Sequence, residues 1–160
     1  MRRPRPRRGR NRSSRGATLV EFAFLIPLLF ALVFGIVDFG RALYSYHFVS
    51  YAAREASRWA SVRGGSDCTG YPQGCPASSA DVSDYVVSIA PPGIDSSSSR
   101  LIVNASWPPL LSNPPICAAV QKHPGCPVQV QVNYQFRFVL PFLPTSGINM
   151  TSTSEMIISQ

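Results

Sequence analysis

An uncharged apolar run constrains this chain more than any other stretch of its sequence. Residues 22–37 contain no charged side chain, and the apolar segment they belong to, residues 17–37, is twenty-one residues long. At about 1.5 Å per residue, a helix of that length spans roughly 31 Å, which is the thickness of a bilayer core. A core helix of a soluble domain would show a polar face, and a cleavable secretory signal would be shorter. The run therefore predicts a transmembrane helix over residues 17–37.

The positive charge of the chain is concentrated directly before this run. Residues 1–16 hold eight of the fifteen basic residues and no acid, whereas the remainder holds seven basic and eight acidic residues. An Arg-rich arm can bind nucleic-acid phosphates, but beside a transmembrane helix it keeps its end of that helix in the cytoplasm. We therefore predict a basic cytoplasmic leader over residues 1–16, contact with membrane lipid, no nucleic-acid partner and an extracytoplasmic C-terminus.

Two residues are unusual in a transmembrane helix. Glu21 places a carboxylate inside the apolar segment, at a cost of about 2.5–3.5 kcal/mol at mid-membrane and less near the interface. Either it reaches back to the headgroups, or it pairs with a cation once helices lie side by side. Cleavage after Gly16 would create such a cation, the α-amino group of Ala17. Pro27 removes one backbone hydrogen bond and predicts a bend, with an incidental kink and an assembly role left as alternatives.

The residues around this acid resemble a known processing signal. The motif resembles the type IV prepilin cleavage site, and it reads Gly16-Ala17-Thr18-Leu19-Val20-Glu21-Phe22. Residues 15–60 are similar to the TadE-like proteins, which are pilin-like components of the tight-adherence system that builds Flp-type pili. The resemblance covers this region almost continuously.

The resemblance implies a function and a set of partners. It implies cleavage after Gly16 by a prepilin peptidase, whose catalytic residues are not in this chain, and a role for Glu21 and Phe22 in the register of neighbouring subunits. It implies a single-pass protein of the bacterial inner membrane, with other pilin-like subunits and pilus assembly proteins as partners. The leading hypothesis is a minor pseudopilin of a tight-adherence pilus or a related secretion machine. The alternative is an unprocessed single-pass membrane protein whose outer domain binds a ligand or the cell wall.

A helical pattern continues beyond the apolar run. Apolar residues recur every three or four positions, at Tyr44, Phe48, Ala52, Ala56 and Trp59. Because Gly64 and Gly65 end the pattern, we predict one helix over residues 17–63, of which residues 38–63 form an amphipathic extracytoplasmic continuation. We assign Tyr44, Tyr46 and Phe48 to an aromatic belt at the membrane surface, and Trp59 to packing.

The sequence pattern of residues 64–160 predicts a small extracytoplasmic domain, which we call the head. Ser78 or Ser79 can cap a short helix in which Val82, Val86 and Ile89 share one face. Alternation of apolar and polar residues predicts strands over residues 101–107, 128–138 and 150–159. The expected fold class is α+β, with a long transmembrane and amphipathic helix as a pilin-like spine and a small antiparallel β-sheet laid on it.

All four cysteines lie in predicted outer loops, and they are Cys68, Cys75, Cys117 and Cys126. An even number and an oxidising compartment favour disulfides, and local pairs are the simplest of three connectivities. A four-thiolate zinc site is disfavoured, because such sites usually have Cys-x2-Cys pairs and the gaps here are six and eight residues. We expect no metal.

The search for an enzyme finds no catalytic constellation. His47 and His123 are the only histidines, and neither stands in a pattern that suggests a catalytic triad. No phosphate-binding glycine loop is present. We therefore expect a protein without enzymatic activity and without a cofactor.

Overall fold

The computed structural model describes residues 14–65, 75–110, 117, 122–139 and 146–159. In chain order, its elements are the helices α1 (Ser14–Val62) and α2 (Ser79–Ser88) and the strands β1 (Leu101–Ser106), β2 (Pro127–Phe136) and β3 (Ile148–Ile157). The predicted α+β class, a long N-terminal helix followed by a small antiparallel sheet, is confirmed.

The chain divides into two compact units, Met1–Phe39 and Gly40–Gln160. In the described residues, the first unit consists of the first part of α1. Among the described helices, α1 is the one that is long and apolar enough to cross a membrane. The second unit contains the rest of α1 together with α2 and the sheet.

The sheet has three antiparallel strands in the order β1-β2-β3. Leu101 of β1 pairs with Tyr134 of β2, and Val130 of β2 pairs with Ser154 of β3. Since side chains alternate between faces along a strand, this register collects the apolar residues of β1 and β2 on one side. That side forms the core, with Val128, Val130 and Val132 fully buried.

Small residues of α1 let the helix lie close to the sheet. The core includes a row of alanines that are fully buried: Ala52, Ala53, Ala56 and Ala60. Ser57 of α1 is also fully buried, and its hydroxyl lies 2.9 Å from the hydroxyl of Ser154 in β3. A hydrogen bond of this length between two short side chains requires close approach of the two backbones. The second half of α1 is therefore part of the core of the head.

Several element boundaries differ from those predicted. Helix α1 begins at Ser14 and not at residue 17, and it ends at Val62. Strand β3 begins at Ile148, two residues earlier than predicted, directly after Gly147. Gly147 has φ = 71°, and a Cβ there would lie 2.0 Å from the carbonyl oxygen of Phe136. Only glycine fits so close to a neighbouring carbonyl, and this tight approach brings Ile148 opposite the last residue of β2.

The aromatic residues of α1 are distributed between the surface and the core differently from the prediction. Tyr44 and Tyr46 are exposed, as residues of a membrane belt would be, but Phe48 is buried in the core of the head. The assignment of Phe48 to the belt was therefore wrong. Its position on the same face as Ala52 and Ala56 turns the ring inward, because residues four apart share a face of a helix. Trp59 packs against the core as expected.

Candidate functional site

The most prominent surface of the first unit is apolar and uncovered. Every large apolar side chain of residues 19–37 is between 45% and 77% exposed. Soluble proteins rarely expose contiguous apolar patches larger than a few hundred Å². A helix that is apolar on all sides requires lipid or neighbouring helices around it.

The predicted processing site lies in the first turn of α1. Gly16 is exposed, and a Cβ added to it would meet no atom within 4 Å. The backbone of Ala17 is helical. The first four N–H groups of a helix have no intrahelical acceptor, so the first turn is the part that opens most easily. Gly16, the residue before the predicted cleavage bond, is therefore open to solvent in this first turn.

Glu21 lies one turn further along α1 and is exposed. Its position four residues after Ala17 puts the two on the same face of the helix. Side chains of a helix lean toward its N-terminus, so the carboxylate of Glu21 leans toward residue 17. Phe22, the other predicted register residue, follows directly and is 62% exposed. Both are thus available to a neighbouring helix.

Pro27 lies inside α1, and the helix is continuous through it. Because proline lacks an N–H group, the carbonyl group of Ala23 lacks its usual partner four residues on. Neighbouring helices or local adjustments commonly satisfy such groups in membrane proteins.

Each cysteine of the head that the structure describes is part of a disulfide. Cys117 and Cys126 form a disulfide with an S–S distance of 2.13 Å and a Cα–Cα distance of 5.7 Å. Both are buried in the core. Cys75 is also disulfide-bonded, and Cys68 lies outside the described residues. Within the described ranges there is no free cysteine and no group of three His, Cys, Asp or Glu residues that could hold a metal ion.

A complete capping box begins α2. The hydroxyl of Ser78 accepts a hydrogen bond from the N–H of Asp81, at 3.2 Å, and donates one to the carboxylate of Asp81, at 2.6 Å. The backbone N–H of Ser78 donates to the same carboxylate oxygen, at 2.9 Å. These hydrogen bonds hold the pKa of Asp81 below its usual value. Of the two serines considered from the sequence, Ser78 is therefore the cap.

The rings of Trp59 and Tyr85 join α2 to α1. They stack with centroids 5.1 Å apart, and the hydroxyl of Tyr85 donates a hydrogen bond to Glu55, at 3.3 Å. Burial, followed by the nearby Glu55 carboxylate, raises the pKa of Tyr85. The cation of Arg63 lies over the ring of Trp59, 4.4 Å from its centroid. This stack fixes the position of α2 on the helix.

The structure also brings together three arginines that sequence reasoning did not connect. Arg41, Arg100 and Arg137 line one cavity of about 240 Å³ in the head. In the sequence, Arg41 lies 59 positions before Arg100, and Arg100 lies 37 positions before Arg137. Antiparallel pairing of β1 with β2 could have shown that two of them lie close together, because Arg100 directly precedes β1 and Arg137 directly follows β2.

Comparison with known protein families found one match, and it lies within α1. Residues 16–58 match the family model described as TadE-like protein. These residues form a TadE-like region. The predicted resemblance to that family is confirmed. Comparisons with curated proteins and with solved structures gave no match.

The TadE-like region begins at Gly16, the residue of the predicted cleavage site, and ends within α1. The family implies a membrane protein related to pilus assembly, and it is a structural family and not an enzymatic one. The sheet and the disulfide between Cys117 and Cys126 lie outside the matched residues.

Proposed function

We propose that this chain is a minor pseudopilin, cleaved after Gly16 by a prepilin peptidase and used in the assembly of tight-adherence (Flp-type) pili or a related secretion machine. The observation that carries the proposal is the uncovered apolar surface of residues 19–37, within a TadE-like region that begins at Gly16. Such a surface suits both environments of a pilin-like subunit, which are lipid before assembly and other helices after it.

Cleavage would change the charge that holds the N-terminus in the cytoplasm. The leader of residues 1–16 carries eight arginines, and the remaining chain has seven basic and eight acidic residues. Removal of the leader therefore changes the formal net charge from +7 to −1, apart from the new α-amino group. A transmembrane helix without positive residues at its cytoplasmic end is no longer held by them. Extraction from the membrane into an assembly becomes easier.

Cleavage would also give Glu21 a partner. The new α-amino group on Ala17 lies one turn before Glu21, on the face toward which that side chain leans. A carboxylate in apolar surroundings is costly, and pairing with a cation offsets that cost. Where helices lie side by side, the amino group of one subunit can pair with Glu21 of the next. This contact sets the register between subunits, with Phe22 packing beside it.

Mass spectrometry of the full chain tests the cleavage. The chain is expressed in a bacterial membrane with an active prepilin peptidase or with a catalytically inactive one, and the N-terminus of the extracted protein is determined. We expect a chain that begins at Ala17 with the active enzyme alone. Gly16→Leu should abolish the cut. Gly35→Leu is the matched control, because Gly35 lies in the same apolar segment with equally open space around it, and it should leave the cut unchanged.

Glu21→Gln separates assembly from processing. We expect it to be cleaved like the wild type but to lose co-purification with other pilin-like subunits, because the amide cannot pair with the amino group as a charge. Glu155→Gln, an exposed change on β3, serves as the control. A chain that keeps Met1 with the active peptidase, or a cut that persists in Gly16→Leu, contradicts the processing. The first result would favour an unprocessed single-pass protein whose outer domain binds a ligand or the cell wall, whereas the second would show that the cut does not depend on Gly16.

A further inference from the structure

The face of the sheet that points away from the core contains a depression of about 470 Å³. Because side chains alternate between the two faces of a strand, the register that buries the valines of β2 collects polar side chains on this outer face. Four of the residues that line the depression carry a carboxamide, and they are Asn104, Asn133, Gln135 and Asn149. We call this depression the amide cavity. Its volume lies within the range of about 300–1,000 Å³ that is usual for small-ligand sites.

The register of the sheet brings these carboxamides together with one apolar side chain. Ile102 of β1 lies opposite Asn133 of β2, which in turn lies opposite Thr151 of β3. Gln135 lies opposite Asn149. Neighbouring strands are about 4.8 Å apart, and residues two positions apart along a strand are about 6.8 Å apart, so these side chains form one compact patch. Ile102 is 48% exposed and adds an apolar surface to it.

Hydrogen bonds within the head orient two of the carboxamides. The side-chain oxygen of Asn133 accepts a hydrogen bond from the hydroxyl of Thr151, at 2.7 Å. The side-chain nitrogen of Gln135 donates to the carbonyl of Ser146, at 3.1 Å. Asn133 therefore keeps its N–H groups for a ligand, and Gln135 keeps its side-chain oxygen. The cavity thus offers a donor and an acceptor whose orientations are already fixed.

The charge of the cavity lining is paired. Among the described residues that line the amide cavity, Arg100 is the charged one, and its Nε lies 3.2 Å from the carboxylate of Asp95. The lining contains no acid that would attract a cation. An ion that leaves water needs an opposite charge to offset its desolvation, and this lining supplies none that is unpaired. The cavity therefore favours an uncharged ligand.

The floor of the cavity presents side chains and not backbone groups. Strand β2 is the middle strand and pairs with both of its neighbours. A peptide that binds by adding a strand needs the free backbone of an edge, which this floor does not offer. Carboxamides donate and accept hydrogen bonds in one plane, and sugar hydroxyls also do both. The C–H groups on the faces of a sugar ring match the apolar surface of Ile102.

We propose that the amide cavity binds an uncharged carbohydrate, whose hydroxyl groups bond to Asn104, Asn133 and Gln135 while one face of a sugar ring packs on Ile102. Such hydrogen bonds replace bonds to water, so a single site of this kind binds weakly. The site does not depend on cleavage after Gly16, so it stands or falls separately from the processing.

Ligand-observed NMR of the full chain in phosphocholine micelles measures the binding. Saturation transferred from the protein to the ligand is titrated with ligand concentration and yields a Kd. Four probes are compared: cellotriose and chitotriose as uncharged carbohydrates, trigalacturonate as a charged one, and N-acetyl-trialanine amide as an uncharged peptide. We expect at least one of the two uncharged trisaccharides to bind with a Kd at least about tenfold lower than those of trigalacturonate and the peptide.

Variants on the outer face locate the binding. Asn133→Asp should raise the Kd at least about tenfold, because it removes the N–H donors but keeps an oxygen to accept from Thr151. Asn104→Ala should raise it about threefold or more, and the exposed Asn104 side chain makes no hydrogen bond within the described part of the chain. Gln131→Ala is the matched control, since Gln131 is a carboxamide on the same face of β2 that does not line the cavity. It should change the Kd by less than about twofold.

Urea midpoints equal to that of the wild type show that the variants are folded. Binding of one uncharged trisaccharide alone would mean that the site selects among sugars, and binding of both would mean that it recognises their hydroxyl groups in general. Both results support the proposal. Failure of both trisaccharides to bind overturns it, as does equally tight binding of trigalacturonate or the peptide. An equal effect of Asn133→Asp, Asn104→Ala and Gln131→Ala also overturns it.

Discussion

Replacement of Ser78 by alanine measures how far the short helix α2 depends on its cap. The change removes both hydrogen bonds of the Ser78 hydroxyl to Asp81 and leaves the backbone N–H bond to the carboxylate. Loss of a serine N-cap costs about 1 kcal/mol, within a range of about 0.5–2. Helix α2 has only ten residues, and it has no basic residue in its last turn that would interact favourably with the helix dipole. We expect a loss of about 1 kcal/mol in the free energy of unfolding at neutral pH.

The stability lost in Ser78→Ala should depend on pH and should be larger at neutral pH than at acid pH. The hydrogen bonds of Ser78 lower the pKa of Asp81 in the folded state. A group with a depressed pKa contributes stability that is fully present above its unfolded pKa, about 3.9 for Asp, and that is lost as the pH falls through the folded value. Ser78→Ala removes the larger cause of this depression. The difference in stability between wild type and Ser78→Ala should therefore be largest above about pH 5 and should shrink below about pH 4.

Urea unfolding of the full chain in micelles, followed by tryptophan fluorescence, measures both effects. Trp59 stacks on Tyr85 of α2, so its emission reports the docking of that helix. Ser88→Ala is the control, because its exposed hydroxyl bonds only to the carbonyl of Tyr85 at the far end of α2, and it should change the stability by less than about 0.5 kcal/mol. A Ser78→Ala protein as stable as wild type, or a difference that stays constant from pH 3 to 7, would refute the reasoning.

Two further changes test the core of the head by the same unfolding measurement. Ala56→Leu inserts a larger side chain where α1 approaches the sheet and should cost about 1–3 kcal/mol, whereas Ala80→Leu on the exposed side of α2 should be nearly neutral. Similar losses from both changes would argue against close approach at Ala56. Cys117→Ala with Cys126→Ala opens a disulfide that joins residues nine positions apart and should cost about 2–3 kcal/mol. An unchanged urea midpoint would show that this disulfide does not contribute to the stability of the head.

Short-range patterns predicted the regular elements of the head. The alternation along β2 placed Val128, Val130 and Val132 on one face, and all three are fully buried. Ser78 was one of two candidates for the cap of α2, and the capping box identifies it. Such features depend on neighbours within a few residues of the chain, so the sequence contains them almost completely.

Other features depend on residues that are distant in the sequence. Phe48 was expected at the membrane surface, because an aromatic residue near a transmembrane helix fits both a belt and a core. The early start of β3 follows from the close approach of Gly147 to the carbonyl of Phe136. The alternation in β3 is weak, since its inward-facing residues include Ser152 and Ser154. No local pattern could therefore place its boundaries.

By itself, the sequence determined that residues 17–37 form an apolar segment of membrane length, that an arginine-rich stretch precedes it, and that residues 16–22 resemble a prepilin motif. These properties follow from composition and spacing along one helix, and they were enough to identify the TadE-like region. Only the tertiary structure decided that the second half of α1 belongs to the core of the head and that Arg41, Arg100 and Arg137 line one cavity. The reason is physical: burial and the convergence of charges depend on strand pairing and helix packing between residues far apart in the chain.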